Sequence, residues 1–304
     1  MTTTTTDTYV TDDAHGHNWH LMLGDSCERL AEIDDDSVHM SVYSPPFASL
    51  FTYSPSLRDL GNASDRAEFI EHYGFIIREL LRVTVPGRAT CVHVQQLTTT
   101  KTTHGFVGLT DFRGDVIRAY LDAGWIFHGE VTVNKDPQAQ AIRTKAQSLM
   151  FVTKNRDSSM TRPALADYLL IFRKPGDNPV PITQTDGHWT RVNNEEWIDW
   201  AQPVWWNIRE TNTLNARLGR EDADERHICP LQLDFIERCI RLWSNPGETV
   251  LTPFAGIGSE VYTAVKLERR GLGIELKPSY WRSAVDVMHD LEAEMSAPSL
   301  MDLL

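Results

Sequence analysis

The sequence predicts an α/β fold with a doubly wound, mostly parallel sheet and an inserted module. Three observations indicate this fold. Short apolar runs alternate with segments of helical spacing, polar or glycine-rich turns follow several of those runs, and a basic, tryptophan-rich stretch separates two such halves. Ligands of such folds bind beyond the carboxyl ends of the strands. The turns that follow the strands are therefore the candidate sites.

Composition bounds the class of protein. The chain has 304 residues, of which 41% are hydrophobic and 23% charged, enough for one large core or for one core with a smaller appended module. The cysteines lack CxxC spacing, which favours buried free thiols in a reducing compartment over disulfides or zinc ligands. The first residues carry no Lys or Arg, and no apolar stretch approaches the roughly 20 residues of a membrane span. We therefore expect a cytoplasmic protein without membrane contact.

Charge is unevenly distributed along the chain. A net charge of −13 argues against a protein that coats nucleic acid with its whole surface. The stretch 134–174 is nevertheless locally basic, and from charge alone it is equally well a solvated loop region or a nucleic-acid contact. Its basic residues are Lys135, Arg143, Lys145, Lys154, Arg156, Arg162, Arg173 and Lys174.

The amino-terminal region begins with a tail. Residues 1–16 predict a disordered segment, and His15, His17 and His20 are interpreted as tail and strand-edge residues without the carboxylates of a metal site. No metal is expected.

The first predicted unit is strand, acid, helix, strand. The apolar run from His20 to Gly24 ends at Asp25, Ser26 caps a helix over 27–33, and a strand covers Val38 to Tyr43. An acid at the carboxyl end of a strand is typical of a ligand contact. Asp25 is equally well explained as the partner of a helix cap.

The four residues Ser44-Pro45-Pro46-Phe47 leave that second strand. Proline fixes its own φ and cannot donate a backbone hydrogen bond, so this corner is stiff and rich in acceptors. Such a corner can hold a flat amino group by its hydrogens while Phe47 stacks on the ring that bears it.

Further elements follow from periodicity. The aromatic-rich loop 51–62 is a candidate lid, and the tryptophans of 187–206 predict a small core for a loop-rich module. Helical spacing predicts helices over 66–84, 115–122, 229–243, 260–268 and 278–295, and apolar continuity predicts strands over 89–94, 125–133, 168–172, 249–251 and 271–274.

A glycine turn links the last two strands through a helix. The order strand, Gly256-Ile257-Gly258, helix, strand, Glu275 lets backbone approach a nucleoside while the acid accepts ribose hydroxyls. Val261 stands where a third glycine is usual, and no second mononucleotide-binding half follows, which counts against NAD or FAD. S-adenosylmethionine is the better candidate, with Glu275 on the ribose and Phe254 against the adenine.

The proline corner and the glycine turn are predicted to form one site. Both follow predicted parallel strands, so they open on one edge of the sheet and can share a cleft. One would carry a methyl donor and the other an amino acceptor held by Ser44 Oγ and the Pro45 carbonyl. The donor is already activated, so positioning and charge stabilisation suffice without a metal.

These motifs resemble those of the DNA amino-methyltransferases, in the permuted group whose proline corner precedes the cofactor loop. The resemblance spans nearly the whole chain and implies a Rossmann-like, S-adenosylmethionine-dependent fold. It assigns Leu23–Ser26 to the adenine motif, Ser44–Phe47 to the catalytic motif and Phe254–Gly258 with Glu275 to the cofactor loop. The segment His227–Leu233 is similar to the one that closes over the methionine end.

The resemblance also implies a division of the chain. Residues 17–133 form the catalytic half, 134–225 the target-recognition region and 226–304 the cofactor half. The implied catalytic residues are Ser44, Pro45, Pro46 and Phe47; the implied cofactor-binding residues are Asp25, Ser26, His227, Pro230, Thr252, Phe254, Ala255, Gly256, Gly258 and Glu275; the implied DNA-binding residues are Lys135, Arg143, Lys145, Lys154, Arg156 and Arg162.

Three departures from the family pattern stand out. Thr252 occupies the position of a usual Asp or Asn, Ser259 replaces a usual Thr, and the corner begins with Ser44 where many members have Asp. In this family Ser goes with N4 of cytosine, and Asp or Asn with N6 of adenine.

The resemblance implies a substrate and partners. We expect the substrate to be double-stranded DNA with a flipped target base. The expected location is the cytoplasm of a bacterial or phage-infected cell. A homodimer and a separate cognate nuclease, as in restriction-modification, are compatible with the family. Cytosine N4 is the favoured target and adenine N6 the alternative. More distant alternatives are a protein-glutamine or RNA amino-methyltransferase, and a catalytically idle DNA-binding protein.

Overall fold

The computed structural model describes residues 10–46, 60, 66–144, 149, 151–155, 157–159, 161–214 and 230–297. A mixed sheet of nine strands runs through this part of the chain, in the spatial order β1-β2-β11-β10-β3-β4-β8-β7-β9, and β5 pairs with β6 apart from it. The strands are β1 (Asp12–Gly16), β2 (Trp19–Leu23), β3 (Val38–Tyr43), β4 (Thr84–Gln95), β5 (Leu97–Thr99), β6 (Gly108–Thr110), β7 (Ile126–Val133), β8 (Asp167–Arg173), β9 (Val204–Trp205), β10 (Thr249–Thr252) and β11 (Arg270–Glu275).

The centre of the sheet is parallel. Strands β2, β11, β10, β3 and β4 pair in parallel, as the apolar runs predict. Antiparallel strands flank this centre, with β1 against β2 on one side and β8 between β4 and β7 on the other. The predicted doubly wound, mostly parallel sheet is therefore confirmed, with an antiparallel flank.

Helices cover both faces of the sheet. They are α1 (Ser26–Arg29), α2 (Arg66–Val83), α3 (Lys101–His104), α4 (Phe112–Asp122), α5 (Pro137–Thr144), α6 (Phe151–Lys154), α7 (Asn194–Trp200), α8 (Leu233–Trp243), α9 (Ser259–Lys266) and α10 (Pro278–Ser296). Helices α2 and α4 pack their apolar stripes on one face, and α8, α9 and α10 pack theirs on the other. The core consists of these two apolar layers around the sheet.

The amino terminus is more ordered than predicted. Residues 12–16 form strand β1, which pairs with β2 in the register His15↔His20, so the prediction of disorder is wrong for these residues, while residues 1–9 lie outside the described part of the chain. Asp13 lies 2.6 Å from His20 Nε2 and accepts two hydrogen bonds from Arg29. The prediction of histidines without a carboxylate is wrong for His15 and His20, because the hairpin brings Asp13 beside both.

The tryptophan-rich module does not have the predicted core of indole rings. Trp189, Trp197 and Trp206 are 63%, 51% and 66% exposed, whereas Trp205 is buried. Two buried arginines, Arg241 of α8 and Arg269, form hydrogen bonds with the module instead. Arg241 Nε donates to the Thr190 carbonyl at 2.9 Å and Arg269 Nη1 to Thr190 Oγ1 at 2.6 Å. The module is thus anchored through hydrogen bonds to its backbone and side chains.

The thiol and membrane predictions can be checked over the described residues. Cys27, Cys91 and Cys239 are free thiols, and Cys239 is buried, which raises the pKa of its thiol. Cys229 and the predicted lid, apart from Leu60, lie outside the described residues. Within the described ranges, no helix combines the length and apolar character needed to cross a bilayer.

Candidate active site

The proline corner and the glycine turn follow neighbouring strands. Strands β3 and β10 pair in parallel with the register Val250↔Met40 and Leu251↔Ser41. Both strands therefore end at the same edge of the sheet. The prediction that one edge carries both motifs is confirmed, although Phe47, the last residue of the corner, lies outside the described residues.

The glycine turn is held by Glu275, the last residue of β11. Gly256 and Gly258 have φ values of +53° and +90°, a region that favours glycine. The Gly256 amide donates to Glu275 Oε2 at 2.7 Å, and the Lys277 amide donates to Oε1 at 2.8 Å. A carboxylate offers about four acceptor positions, so Glu275 can brace the turn and still accept from ribose hydroxyls.

The first motif is tied to the same turn. Asp25 is the N-cap of α1 and accepts from the Cys27 amide at 2.9 Å, which confirms its interpretation as a helix-cap residue, whereas the prediction of Ser26 as the cap is wrong. Ser26 is the first residue of the helix, and its hydroxyl donates to the Pro253 carbonyl. Gly24 donates its amide to the Glu275 carbonyl at 2.9 Å. These bonds fix the adenine motif against the cofactor loop.

Several residues predicted to contact the cofactor pack against the protein interior. Thr252 is 1% exposed, and its hydroxyl has no hydrogen-bond partner among the described residues. Phe254 packs against the rings of Tyr43 and Tyr73, with centroid distances of 5.6 and 6.3 Å. Ala255 is buried and Pro230 is half-buried, while His227 lies outside the described residues.

Three buried tyrosines support the end of β3. The Tyr43 hydroxyl is hydrogen-bonded to that of Tyr73 at 2.7 Å and to that of Tyr120. Burial raises the pKa of Tyr120 to about 12, so its phenol stays neutral. Because Tyr43 directly precedes Ser44, this cluster fixes the backbone from which the proline corner starts.

Ser44 begins a chain of hydrogen bonds that the sequence did not predict. Ser44 Oγ lies 3.1 Å from His93 Nδ1, and His93 Nε2 lies 2.9 Å from Asp167 Oδ2. Asp167 also accepts from Gln95 Nε2 at 2.7 Å and pairs with Lys135 Nζ at 2.7 Å. Burial pushes the pKa of Asp167 upward, but His93 and Lys135 outweigh it and hold the pKa below its usual value.

Lys135 therefore differs from its prediction as a DNA contact. Its side chain is buried and pairs with the carboxylate of Asp167, which leaves it no free surface for a phosphate. Lys154 is exposed, and Arg162 is half-buried with a bond to the Gly108 carbonyl at 3.1 Å. The side chains of Arg143, Lys145 and Arg156 lie outside the described part of the chain.

The site residues missed by sequence reasoning are His93 and Asp167. His93 interrupts the apolar run 89–94, and Asp167 directly precedes the apolar run 168–172. A polar residue inside an apolar run, or directly before one, was the available signal. The pairing of His93 with Asp167 could not be predicted from the sequence, because it requires the antiparallel contact of β4 with β8.

The site fits S-adenosylmethionine. A Cβ built at Gly256 would meet no described atom within 4 Å, so the turn has open space beside its backbone. Glu275 has acceptor positions for the ribose hydroxyls. Gly256, Gly258 and Glu275 would hold the cofactor.

The fold and this turn define the class, an α/β methyltransferase that uses S-adenosylmethionine. The structure resembles TTHA0409 of Thermus thermophilus solved in complex with S-adenosylmethionine, with a TM-score of 0.65, 23% identity and coverage of 91% of this chain and 95% of that chain. It also resembles the cytosine-N4-specific PvuII DNA methyltransferase, with a TM-score of 0.63, 15% identity and coverage of 92% and 93%. Likeness at these identities shows the fold.

The chain belongs to the N6/N4 DNA methylase family, whose model matches residues 38–286. It is an S-adenosylmethionine-dependent DNA amino-methyltransferase. Among its relatives, the type II methyltransferase M.MjaI of Methanocaldococcus jannaschii is 23% identical over 287 residues, covering 86% of this chain and 88% of the relative. The type II methyltransferase M1.MboII of Moraxella bovis is 24% identical over 274 residues, covering 86% and 94%.

Proposed function

We propose that this enzyme methylates N4 of cytosine in double-stranded DNA. The observation that carries the proposal is Ser44 at the start of the proline corner, since Ser at this position goes with cytosine N4 in the family that the chain belongs to. The cytosine-N4-specific PvuII enzyme has the same fold.

Ser44 and Pro45 would hold the target amino group. S-adenosylmethionine supplies a methyl group activated by its sulfonium. Ser44 Oγ and the Pro45 carbonyl accept the two amino hydrogens, which draws the nitrogen lone pair out of the ring. Pro45 and Pro46 have no backbone N–H to compete for these acceptors. Phe47 would stack on the base, and catalysis would come from positioning and from dipoles aimed at the developing cation.

The cofactor would occupy the edge beside this corner. Gly256 and Gly258 let the backbone approach the nucleoside, and Glu275 accepts from the ribose hydroxyls. Asp25 and Ser26 would shape the adenine side through the cap and the bond to Pro253. The remaining proposed contacts are Pro230, Thr252, Phe254, Ala255 and His227.

The inserted region would bind the DNA, and the target base would be methylated after it leaves the base stack. The target base must leave the duplex to reach Ser44, at a cost of a few kcal/mol that stacking and phosphate contacts offset. Lys154 and Arg162 are the described basic residues that we assign to phosphate contacts, and Arg143, Lys145 and Arg156 are proposed from the sequence.

Mass spectrometry of nucleosides tests the proposal. DNA from a host without methylases is incubated with the protein and S-adenosylmethionine and then digested to nucleosides. N4-methylcytosine is the expected product, and it should be missing when the cofactor is left out. N6-methyladenine in its place would contradict the assignment of cytosine while leaving the family activity intact.

A further inference from the structure

A serine at the corner leaves one requirement of amino methylation unmet. The amino nitrogen becomes positively charged when it gains the methyl group, and it must then lose a proton. A carboxylate at the first position of the corner could accept that proton. A serine hydroxyl is not basic enough to keep it, so a proton acceptor must lie behind Ser44.

We propose that His93, oriented by Asp167, is that acceptor and receives the proton through Ser44 Oγ. The inference rests on the proposed function, because it requires an amino group at Ser44. It follows from the two contacts that join these side chains, 3.1 Å from Ser44 Oγ to His93 Nδ1 and 2.9 Å from His93 Nε2 to Asp167 Oδ2.

Asp167 decides which nitrogen of His93 carries the proton. The buried carboxylate accepts from Nε2, so an imidazole that carries a single proton places that N–H on Nε2. The Nδ1 lone pair then accepts the Ser44 hydroxyl hydrogen. Ser44 Oγ, having donated its own hydrogen inward, keeps its lone pairs for the amino hydrogens of the base. The same chain of bonds thus makes Ser44 an acceptor before the transfer.

The proton transfer balances. The amino nitrogen gives its lone pair to the methyl carbon, and the carbon–sulfur bond breaks with its electrons going to sulfur. An N–H proton passes to Ser44 Oγ while the Ser44 proton passes to His93 Nδ1. The nitrogen becomes a neutral methylamino group, and His93 becomes an imidazolium beside Asp167. His93 is 8% exposed and returns the proton to solvent after the product leaves.

The groups around His93 favour this role. On the β8 side stands Asp167, and behind it Lys135, which follows β7 and keeps the carboxylate ionised. On its own strand β4, Gln95 holds the second carboxylate oxygen. From α8 the contact is the uncharged Phe235 ring, with a centroid distance of 5.2 Å, and from β3 it is Ser44. The carboxylate is the anionic partner that the imidazolium needs.

Single-turnover kinetics across pH test the inference. With S-adenosylmethionine bound and DNA saturating, the wild-type rate should fall on the acidic side, because the transfer requires an unprotonated acceptor. His93→Gln should lower the rate roughly 100-fold or more and remove that acidic limb. Equilibrium binding of S-adenosylmethionine should stay within about twofold, which shows that the variant folds. His72→Gln, on the exposed face of α2, is the matched control and should behave as wild type.

Two further variants test the inference in case His93→Gln does not fold. Asp167→Asn should lower the rate by offering the wrong hydrogen-bond partner to Nε2, and Ser44→Asp should restore part of the rate to His93→Gln by supplying a carboxylate. A His93→Gln enzyme that keeps the wild-type rate, or loses rate but keeps the acidic limb, overturns the inference. A wild-type protein that methylates no DNA base overturns the proposed function as well, so the two failures are distinguishable.

Discussion

At the scale of single residues, the site combines groups that the sequence identifies with groups that only the fold brings in. Ser44 follows β3 and Glu275 ends β11, and both could be assigned from position and chemistry. His93 and Asp167 lie 74 residues apart, and their contact depends on the register of β4 with β8. Lys135 illustrates the converse, since its sequence neighbourhood is basic but its actual partner is a buried acid.

Glu260 is a second buried acid with a measurable consequence. It lies in the first turn of α9 at 5% exposure, and burial, with a smaller effect of the Glu275 charge, raises its pKa from 4.5 to about 8. The folded protein therefore keeps a proton that the unfolded chain loses near pH 4.5. Stability should fall as pH rises between these two pKa values, because the unfolded state binds fewer protons there.

Glu260→Gln should therefore stabilise the protein at high pH. The amide cannot ionise, so we expect the free energy of unfolding to rise by roughly 2–4 kcal/mol at pH 8.5 and to change little at pH 4.5. Urea titrations at both pH values measure this, with Glu294→Gln on the exposed end of α10 as the control. An equal effect of Glu260→Gln at the two pH values would contradict the buried, protonated carboxyl.

At the scale of elements, the cofactor loop depends on a close approach of α9 to β11. The usual third glycine of a nucleotide-binding turn serves this approach, and here Val261 occupies its place. The glycines lie on the strand instead. A Cβ at Gly271 would come within 2.8 Å of Val261 Cγ1, and one at Gly273 within 2.8 Å of Val261 Cγ2. The departure in the motif is thus compensated across the helix–strand contact, which only the structure reveals.

Gly273→Ala should loosen this contact. The added methyl group would also meet Leu21 Cδ2 at 2.9 Å and Ala255 Cβ at 3.0 Å, so α9 must shift. We expect a loss of about 1–3 kcal/mol of stability together with weaker binding of S-adenosylmethionine. Thermal unfolding and calorimetric titration measure both. Gly129→Ala in β7, where a Cβ meets no described atom within 4 Å, should cost much less; similar losses in both variants would refute the packing explanation.

Element prediction also failed where polar groups build the interior. The tryptophans of 187–206 indicate a small apolar core, yet the module is anchored by Arg241 and Arg269, whose guanidinium groups bind its carbonyl and hydroxyl oxygens. Arginine on a helix or after it is usually exposed, so no local sequence pattern predicts that these arginines anchor the module. The parallel strands, by contrast, follow directly from continuous apolar runs.

At the scale of the whole molecule, charge and function are in tension. A chain with a net charge of −13 must bind a polyanion through a restricted surface. Among the described basic residues of region 134–225, Lys135 is engaged within the protein and Lys154 is exposed. The fold class and the shared edge of the two motifs were readable from the sequence; the distribution of usable positive charge was not, because it depends on which side chains are buried.

Lys154→Ala should weaken binding to any duplex. Loss of a phosphate contact lowers affinity similarly for all sequences and reduces the slope of log affinity against log salt by about 1. Fluorescence anisotropy over a range of salt concentrations measures this. Lys266→Ala, on the exposed face of α9, should leave affinity and slope unchanged. A Lys154→Ala protein with the wild-type slope would exclude this residue as a phosphate contact.

The most direct test of the central claim follows a labelled methyl group from S-adenosylmethionine into duplex DNA. Ser44 and Ser37 flank opposite ends of β3, which makes Ser37→Ala the matched control for Ser44→Ala. We predict label on N4 of cytosine, with the rate lowered roughly 100-fold by Ser44→Ala and nearly unchanged by Ser37→Ala. Transfer by Ser44→Ala at the wild-type rate, or no label on any base, would contradict the proline corner as the site of amino methylation.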